Sequence, residues 1–222
     1  MPTPFRREDI AGEAGRLWPV RLPWSHSTRT AVTVGGALVV AAVTAGERGK
    51  ALDRRLYGWL NRDRGHAADT LFEAITELGS IWASMGAAAT VAIAGRRREA
   101  FDAAGAAWAM WLAGQGLKKV YRRPRPYLAL PEFRLLIGKP KGTSWPSSHP
   151  AVLTAFVLVA GRDLRIGPGA RAALAATAGA VGVSRVALGV HFPSDVAGGL
   201  LLGVAAADAW SRFVSPIVLG PG

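Results

Sequence analysis

The chain of 222 residues contains no cysteine. That absence excludes disulfides, thiolate zinc sites and thiol nucleophiles. Histidine is scarce, with only His26, His66, His149 and His191. Acidic residues are outnumbered, 15 Asp and Glu against 27 Lys and Arg, which gives a net charge of +12. No carboxylate cluster lies near the motifs described below, so neither a divalent metal nor any other cofactor is expected. Nucleic-acid motifs are also missing, and the cations form no single amphipathic stripe. Nucleic acid is therefore not the expected partner. There is no internal repeat.

What is present is apolar sequence in blocks. Half of the residues, 50%, are hydrophobic, and the mean hydropathy is +0.21. A chain this apolar and this charged is consistent if the two kinds of residue are segregated, into membrane spans and loops. Apolar runs cover Ala31–Ala45, Leu78–Ala94, Phe101–Leu117, Ala151–Ala160, Ala170–Val190 and Ser194–Val214. The fourth is short and must extend from Ser147 to Leu164 to cross a bilayer. The first has a long basic region before it, so it reads as an uncleaved span and not a signal peptide. The expected fold is all-α: a six-helix transmembrane bundle, with an interfacial amphipathic helix between spans one and two.

That extra helix is expected over residues 49–63. Leu52, Leu56, Trp59 and Leu60 recur at helical spacing among Lys50, Arg54, Arg55 and Arg62. A helix lying flat on the membrane and a soluble surface helix fit this pattern equally well. The domain reading is a cytoplasmic basic segment at 1–29, a six-span domain at 30–215 and a tail at 216–222. In the first segment Trp18 and Trp24 read as interfacial anchors. Gly199-x3-Gly203 fits close helix packing.

Arginine placement sets an orientation. With the N-terminus inside, the inner loops carry Arg96, Arg97, Arg98, Arg162 and Arg165, as the positive-inside rule requires. The loop at 118–145 then lies outside. It holds Lys118, Lys119, Arg122, Arg123, Arg125, Arg134, Lys139 and Lys141 against the single acid Glu132. So many cations on the wrong side point to an anionic substrate.

Three blocks carry the chemistry: Lys118-x6-Arg125-Pro126, Pro146-Ser147-Ser148-His149 and Ser184-Arg185-x5-His191-x3-Asp195. The six-span layout puts all three at the outer ends of spans. Lys118, Arg125 and Arg185 can neutralise phosphoryl oxygens. One histidine can attack phosphorus, the other can protonate a leaving oxygen, and a carboxylate can orient the attacker. Residue types alone do not say which histidine attacks, although the nearby Asp195 favours His191. Taken singly, each residue has a plainer role. Ser147, Ser148 and Asp195 suit helix starts, His191 suits a structural histidine, and Lys118 suits a snorkelling lysine.

Together the blocks resemble the signature of the type 2 phosphatidic acid phosphatase superfamily, which includes membrane lipid phosphatases and soluble vanadium haloperoxidases. The family pattern is Lys-x6-Arg-Pro, Pro-Ser-Gly-His and Ser-Arg-x5-His-x3-Asp. This chain departs at one position, where Ser148 replaces glycine. The resemblance implies that His191 is a nucleophile forming a phosphohistidine, that Asp195 orients it, and that His149 protonates the leaving group. It implies phosphate binding by Lys118, Arg125, Ser147, Arg185 and the Ser148 N–H. Ser184 is expected to serve the local turn. The implied enzyme is a metal-independent lipid phosphate phosphatase of the inner (plasma) membrane, multi-pass, with its site on the extracytoplasmic side. Candidate substrates are a polyprenyl phosphate or diphosphate, a polyprenyl-linked sugar phosphate, phosphatidic acid and phosphatidylglycerol phosphate. The Ala-, Gly- and Arg-rich composition suits a GC-rich bacterium, which favours the polyprenyl class. A vanadate-dependent peroxidase and a non-enzymatic binder of anionic lipid are the competing classes. No oligomeric state follows from the sequence.

Overall fold

A computed structural model describes residues 26–220. The basic segment before them, with Trp18 and Trp24, lies outside the described residues, as do the last two positions. The described residues form helices and loops without a β-strand. In chain order these are α1 (His26–Ala45), α2 (Glu47–Leu60), α3 (His66–Glu77), α4 (Ile81–Ile93) and α5 (Arg97–Val120). They continue with α6 (Pro126–Ala129), α7 (Ser148–Asp163), α8 (Pro168–Ala187), α9 (Pro193–Phe213) and α10 (Ser215–Leu219).

The helix α7 is the centre of the bundle. Val152, Leu153, Ala155, Phe156 and Val159 are all buried on it. Val152, Leu153, Phe156 and Val159 pack with Ala103, Ala106 and Ala107 of α5, with Ala178 and Val181 of α8, and with Ala207 of α9, while Ala155 packs with Met110 of α5. Small residues let the backbones approach. A Cβ at Gly199 would overlap the Ser147 carbonyl, and one at Gly203 would overlap Thr154 and the Ala151 carbonyl. The Gly199-x3-Gly203 spacing thus seats α9 directly on α7.

Helix α1 is long and apolar enough, by length and composition, to cross a membrane, and no other helix among the described residues passes that test. Ala37 and Ala41 are its buried residues, and they pack with Trp145 and with Leu201 and Leu202 of α9. Helix α5 is longer, but it carries Arg97, Arg98, Glu99, Asp102, Lys118 and Lys119. Helix α4 is apolar yet has only 13 residues, about 20 Å of rise.

The span expected over Leu78–Ala94 corresponds to α4, Ile81–Ile93, which starts three residues later. A turn at Leu78–Ser80 separates α3 from α4, and the Ser80 hydroxyl caps α4 by accepting from the Ala83 N–H at 3.0 Å. Gly79 lies in this turn against His149, where a Cβ would overlap the His149 side chain. The turn lies at the start of the expected apolar run, directly after Thr76 and Glu77.

Helix α2 turns its hydrophilic-looking side inward. Gly49, Asp53 and Tyr57, four apart, are its buried residues. Leu52, Leu56 and Trp59 point outward, Trp59 being 60% exposed. These three residues form an exposed apolar stripe on the outer face of α2.

The two ends of the bundle differ. Antiparallel neighbours bring the end of α5, the start of α7, the end of α8 and the start of α9 together at one end. At the other, fully buried Asp102 accepts from Arg162 at 2.7 Å, the Ser215 hydroxyl at 2.6 Å and the Trp210 indole N–H at 2.9 Å. This cluster ties α5, α7, α9 and α10 together. Every acceptor on the buried carboxylate is thereby satisfied by a neighbour.

Candidate active site

Lys118 occupies the last turn of α5. It does not run to the surface: its ammonium donates to the Ser148 hydroxyl at 2.9 Å, across to the first turn of α7. Gly114, one turn earlier on α5, leaves room for that hydroxyl, which lies 3.5 Å from where its Cβ would be. The serine that replaces the family glycine therefore has its own place, against the motif lysine.

After α5 the chain runs through an irregular segment to α7. Arg125 is buried, 2% exposed, and its guanidinium is anchored by carbonyls. It donates to Gly142 O at 3.0 Å and to Val190 O at 3.0 Å. The same Nη1 stands 3.3 Å from His191 Nε2. On α8, Arg185 is 4% exposed and donates through Nη1 to the Thr76 hydroxyl at 2.9 Å, while its Nε has no partner.

His191 lies in the turn between α8 and α9 and is 2% exposed. Its Nδ1 is 3.5 Å from Asp195 Oδ2 and 3.5 Å from the Ser144 hydroxyl. Burial, and then the positive charges of Arg125, Arg185 and Lys118, hold its imidazole well below the usual histidine range. It is therefore neutral, with Nδ1 toward the carboxylate side and Nε2 toward the arginine. Burial also lowers the Arg125 guanidinium from its ordinary value, without discharging it at neutral pH.

Lys118, Arg125, Ser148, His149, Arg185 and His191 line one cavity of about 300 Å³. Ile81, Trp82, Trp111 and Val152 share its wall, so the cationic interior adjoins an apolar flank. Such a cavity suits a ligand with a phosphate at one end and hydrocarbon at the other. Asp195 does not line it but stands behind His191. Its Oδ2 also accepts from the Phe192 N–H at 2.8 Å, so the carboxylate caps α9 and faces the histidine together.

Ser147 is placed differently from the expectation. It does not line the cavity, although it is fully buried and its hydroxyl has no partner. It stands at the N-cap of α7 without a side-chain capping bond, and its N–H donates to the Asp195 carbonyl at 3.0 Å. Ser184 bonds back to Val181 O at 2.7 Å, within its own helix.

Residues outside the blocks complete the surroundings. The Ser144 hydroxyl donates to Asp195 Oδ2. Arg123 donates to Asp195 Oδ1 at 2.7 Å and also to Asp53 of α2. Thr76, at the end of α3, holds Arg185. Arg123 was visible in the sequence only as one cation among many. Thr76 and Asp53 carried no local signal, being brought in by helices far from the blocks. Among the described residues no group of three or more His, Asp or Glu is arranged to hold a metal ion.

The three signature blocks thus meet around one cationic cavity lined by two histidines, with the Asp195 carboxylate behind one of them, in an all-helical bundle. The chain belongs to the PAP2 superfamily, whose model matches residues 102–218. Decaprenylphosphoryl-5-phosphoribose phosphatase of Mycobacterium tuberculosis is 31% identical over 122 residues, covering 55% of this chain and 65% of that protein. The Mycolicibacterium smegmatis protein of the same name is 30% identical over 118 residues, covering 53% and 62%. The chain thus spans less than two thirds of the length of these curated relatives. Among solved structures, Aquifex aeolicus LpxE aligns with a TM-score of 0.67 and 25% identity, over 73% of this chain and 96% of that one. A transmembrane PAP2-type phosphatidylglycerolphosphate phosphatase from Bacillus subtilis aligns with a TM-score of 0.68 over 83% and 95%. Its 20% identity makes that a likeness of fold.

Proposed function

We propose that the chain is an integral membrane phosphatase that cleaves a lipid phosphate or diphosphate through a phosphohistidine. The observation that carries this reading is the cavity itself. It collects Lys118, Arg125, Ser148, His149, Arg185 and His191 beside an apolar wall.

In this reading Lys118, Arg125, Arg185 and the N–H groups at the start of α7 hold the phosphoryl oxygens, where negative charge gathers in the transition state. Ser147 belongs to the same group on the strength of its buried, unpartnered hydroxyl at the start of α7. His191 Nε2 attacks phosphorus while Asp195 holds the Nδ1 proton. The P–N bond forms as the P–O bond to the leaving group breaks, and His149 gives that oxygen its proton. Water then attacks, losing a proton to His149, and the P–N bond breaks to release phosphate. Three side-chain cations serve where a divalent metal would otherwise neutralise charge.

Six helices, α1, α4, α5, α7, α8 and α9, are the proposed spans of a domain covering about 30–215, with α2 at the interface. The arginine pattern puts the site on the extracytoplasmic side of the inner (plasma) membrane. The polyprenyl class is the preferred substrate, and the names of the mycobacterial relatives favour a polyprenyl-phosphoryl sugar phosphate within it.

The test is phosphate release by purified protein in detergent from a panel: a polyprenyl phosphate, a polyprenyl diphosphate, a polyprenyl-phosphoryl sugar phosphate, phosphatidic acid and phosphatidylglycerol phosphate. Orthovanadate should inhibit. Release from none of these would overturn the reading, and peroxide-dependent halide oxidation with vanadate would replace it.

A further inference from the structure

Asp53 lies on α2, outside the segment that matches the family, and is 3% exposed. One Asp53 oxygen accepts from the Ser194 N–H at 3.0 Å. The other accepts from the Ser194 hydroxyl and from Arg123 Nη2. Arg123 sends its second nitrogen, Nη1, to Asp195 Oδ1 at 2.7 Å and to the Ser194 oxygen at 2.6 Å. The guanidinium also lies over the Phe192 ring, 4.5 Å from its centroid. One arginine fork is thus opened across two carboxylates, one nitrogen to each.

This division has a consequence for Asp195. Arginine prefers to engage one carboxylate with both nitrogens. Here Nη2 is committed to Asp53, so only Oδ1 of Asp195 is taken. Oδ2 stays with the Phe192 N–H, the Ser144 hydroxyl and His191 Nδ1. With the Asp53 charge removed, the largely buried Nη2 would keep at most a neutral acceptor there. Asp195, already bonded to Nη1 through Oδ1, then offers the fork its second oxygen, Oδ2, the one that faces the histidine.

We infer that Asp53 is a positioning residue for the hydrolytic reaction: by holding the second nitrogen of Arg123 it reserves Asp195 Oδ2 for His191. It touches neither substrate nor the reacting nitrogen. The inference rests on His191 being the nucleophile. It also makes the interfacial helix α2 part of the catalytic apparatus, because α2 carries Asp53 on its inner face.

The experiment measures kcat and KM with farnesyl phosphate in detergent micelles. Asp53→Asn keeps the side chain's shape and loses its charge. Its kcat should fall by about tenfold to a hundredfold, as a displaced orienting group costs, with KM within about twofold of wild type. Arg123→Lys in the Asp53→Asn background should recover part of the lost kcat, because a lysine cannot form the two-nitrogen clamp. Purely structural damage would make the double variant slower, not faster. Glu47→Gln, an exposed acid on the same helix, should leave kcat unchanged. Wild-type kcat in Asp53→Asn, a double variant no faster than the single, or an equal loss in Glu47→Gln would each overturn the inference. His191→Ala, run in parallel, separates the two levels. If it stays active, the nucleophile assignment fails. If it is inactive while Asp53→Asn is normal, the role of Asp53 alone fails.

Discussion

Arg125 Nη1 and His191 Nε2 stand 3.3 Å apart, both side chains buried and both lining one cavity. The pairing has two effects. Burial, and after it the charge of this guanidinium, keeps the imidazole unprotonated, so it retains an Nε2 lone pair. It also waits beside the nitrogen that would bond phosphorus, where a transferring phosphoryl group needs positive charge.

Arg125→Lys should therefore cost far more than a conservative change implies. A lysine cannot reach Gly142 O, Val190 O and the histidine together. The expected loss is roughly a hundredfold in kcat, in line with removal of a preorganised donor. Lys119→Ala, at an exposed neighbour outside the motif, should change activity by less than about 1 kcal/mol. Steady-state phosphate release on matched amounts of protein checks both.

The lowered His191 titration predicts a pH dependence of stability. In the unfolded chain His191 takes up a proton near pH 6.5, whereas in the folded protein it resists protonation to well below that. As pH falls below about 6.5 the unfolded state binds more protons, so stability falls by up to about 1.4 kcal/mol per pH unit from this group. Above that pH its contribution is constant. Unfolding midpoints in detergent should drop between pH 7 and 5, and His191→Gln should flatten the drop. An unchanged slope in the variant would contradict the folded-state assignment.

Topology is open to labelling, because the chain has no native cysteine. A cysteine at Thr143 should react with an impermeant thiol reagent on intact cells, and one at Gly167 should not. The reverse pattern would place the site on the cytoplasmic side.

Ser148→Gly restores the family residue and removes one partner of Lys118. The loss of a single hydrogen bond is about 1 kcal/mol, so kcat should change no more than severalfold. A larger loss would mean that the Ser148 hydroxyl itself has become part of phosphate binding.

The sequence made the cavity legible because its spacing rules are short-range. Lys118 and Arg125 bracket one loop, and His191 and Asp195 lie four apart at a helix start. Antiparallel helices then bring those ends together. Asp53, Thr76 and Ser144 were not legible: Thr76 and Ser144 bond motif residues from another helix or loop, Asp53 reaches the site through Arg123, and only the folded packing supplies these partners. Ser147 shows the opposite limit. Its place in the motif predicts a phosphate contact, yet the packing of α9 on α7 commits its N–H to the Asp195 carbonyl and keeps its hydroxyl off the cavity. Helix α3, His66–Glu77, was not legible as a separate element, because its polar positions placed it outside every apolar run.

The central claim is that His191 carries the phosphoryl group. The most direct measurement is rapid acid-free quenching of wild-type protein with labelled lipid phosphate, followed by peptide mapping of the labelled residue. The account predicts an acid-labile, base-stable label on His191, present in wild type and absent in His191→Ala, which should also release no phosphate. A label on His149, or phosphate release that persists in His191→Ala, would contradict it.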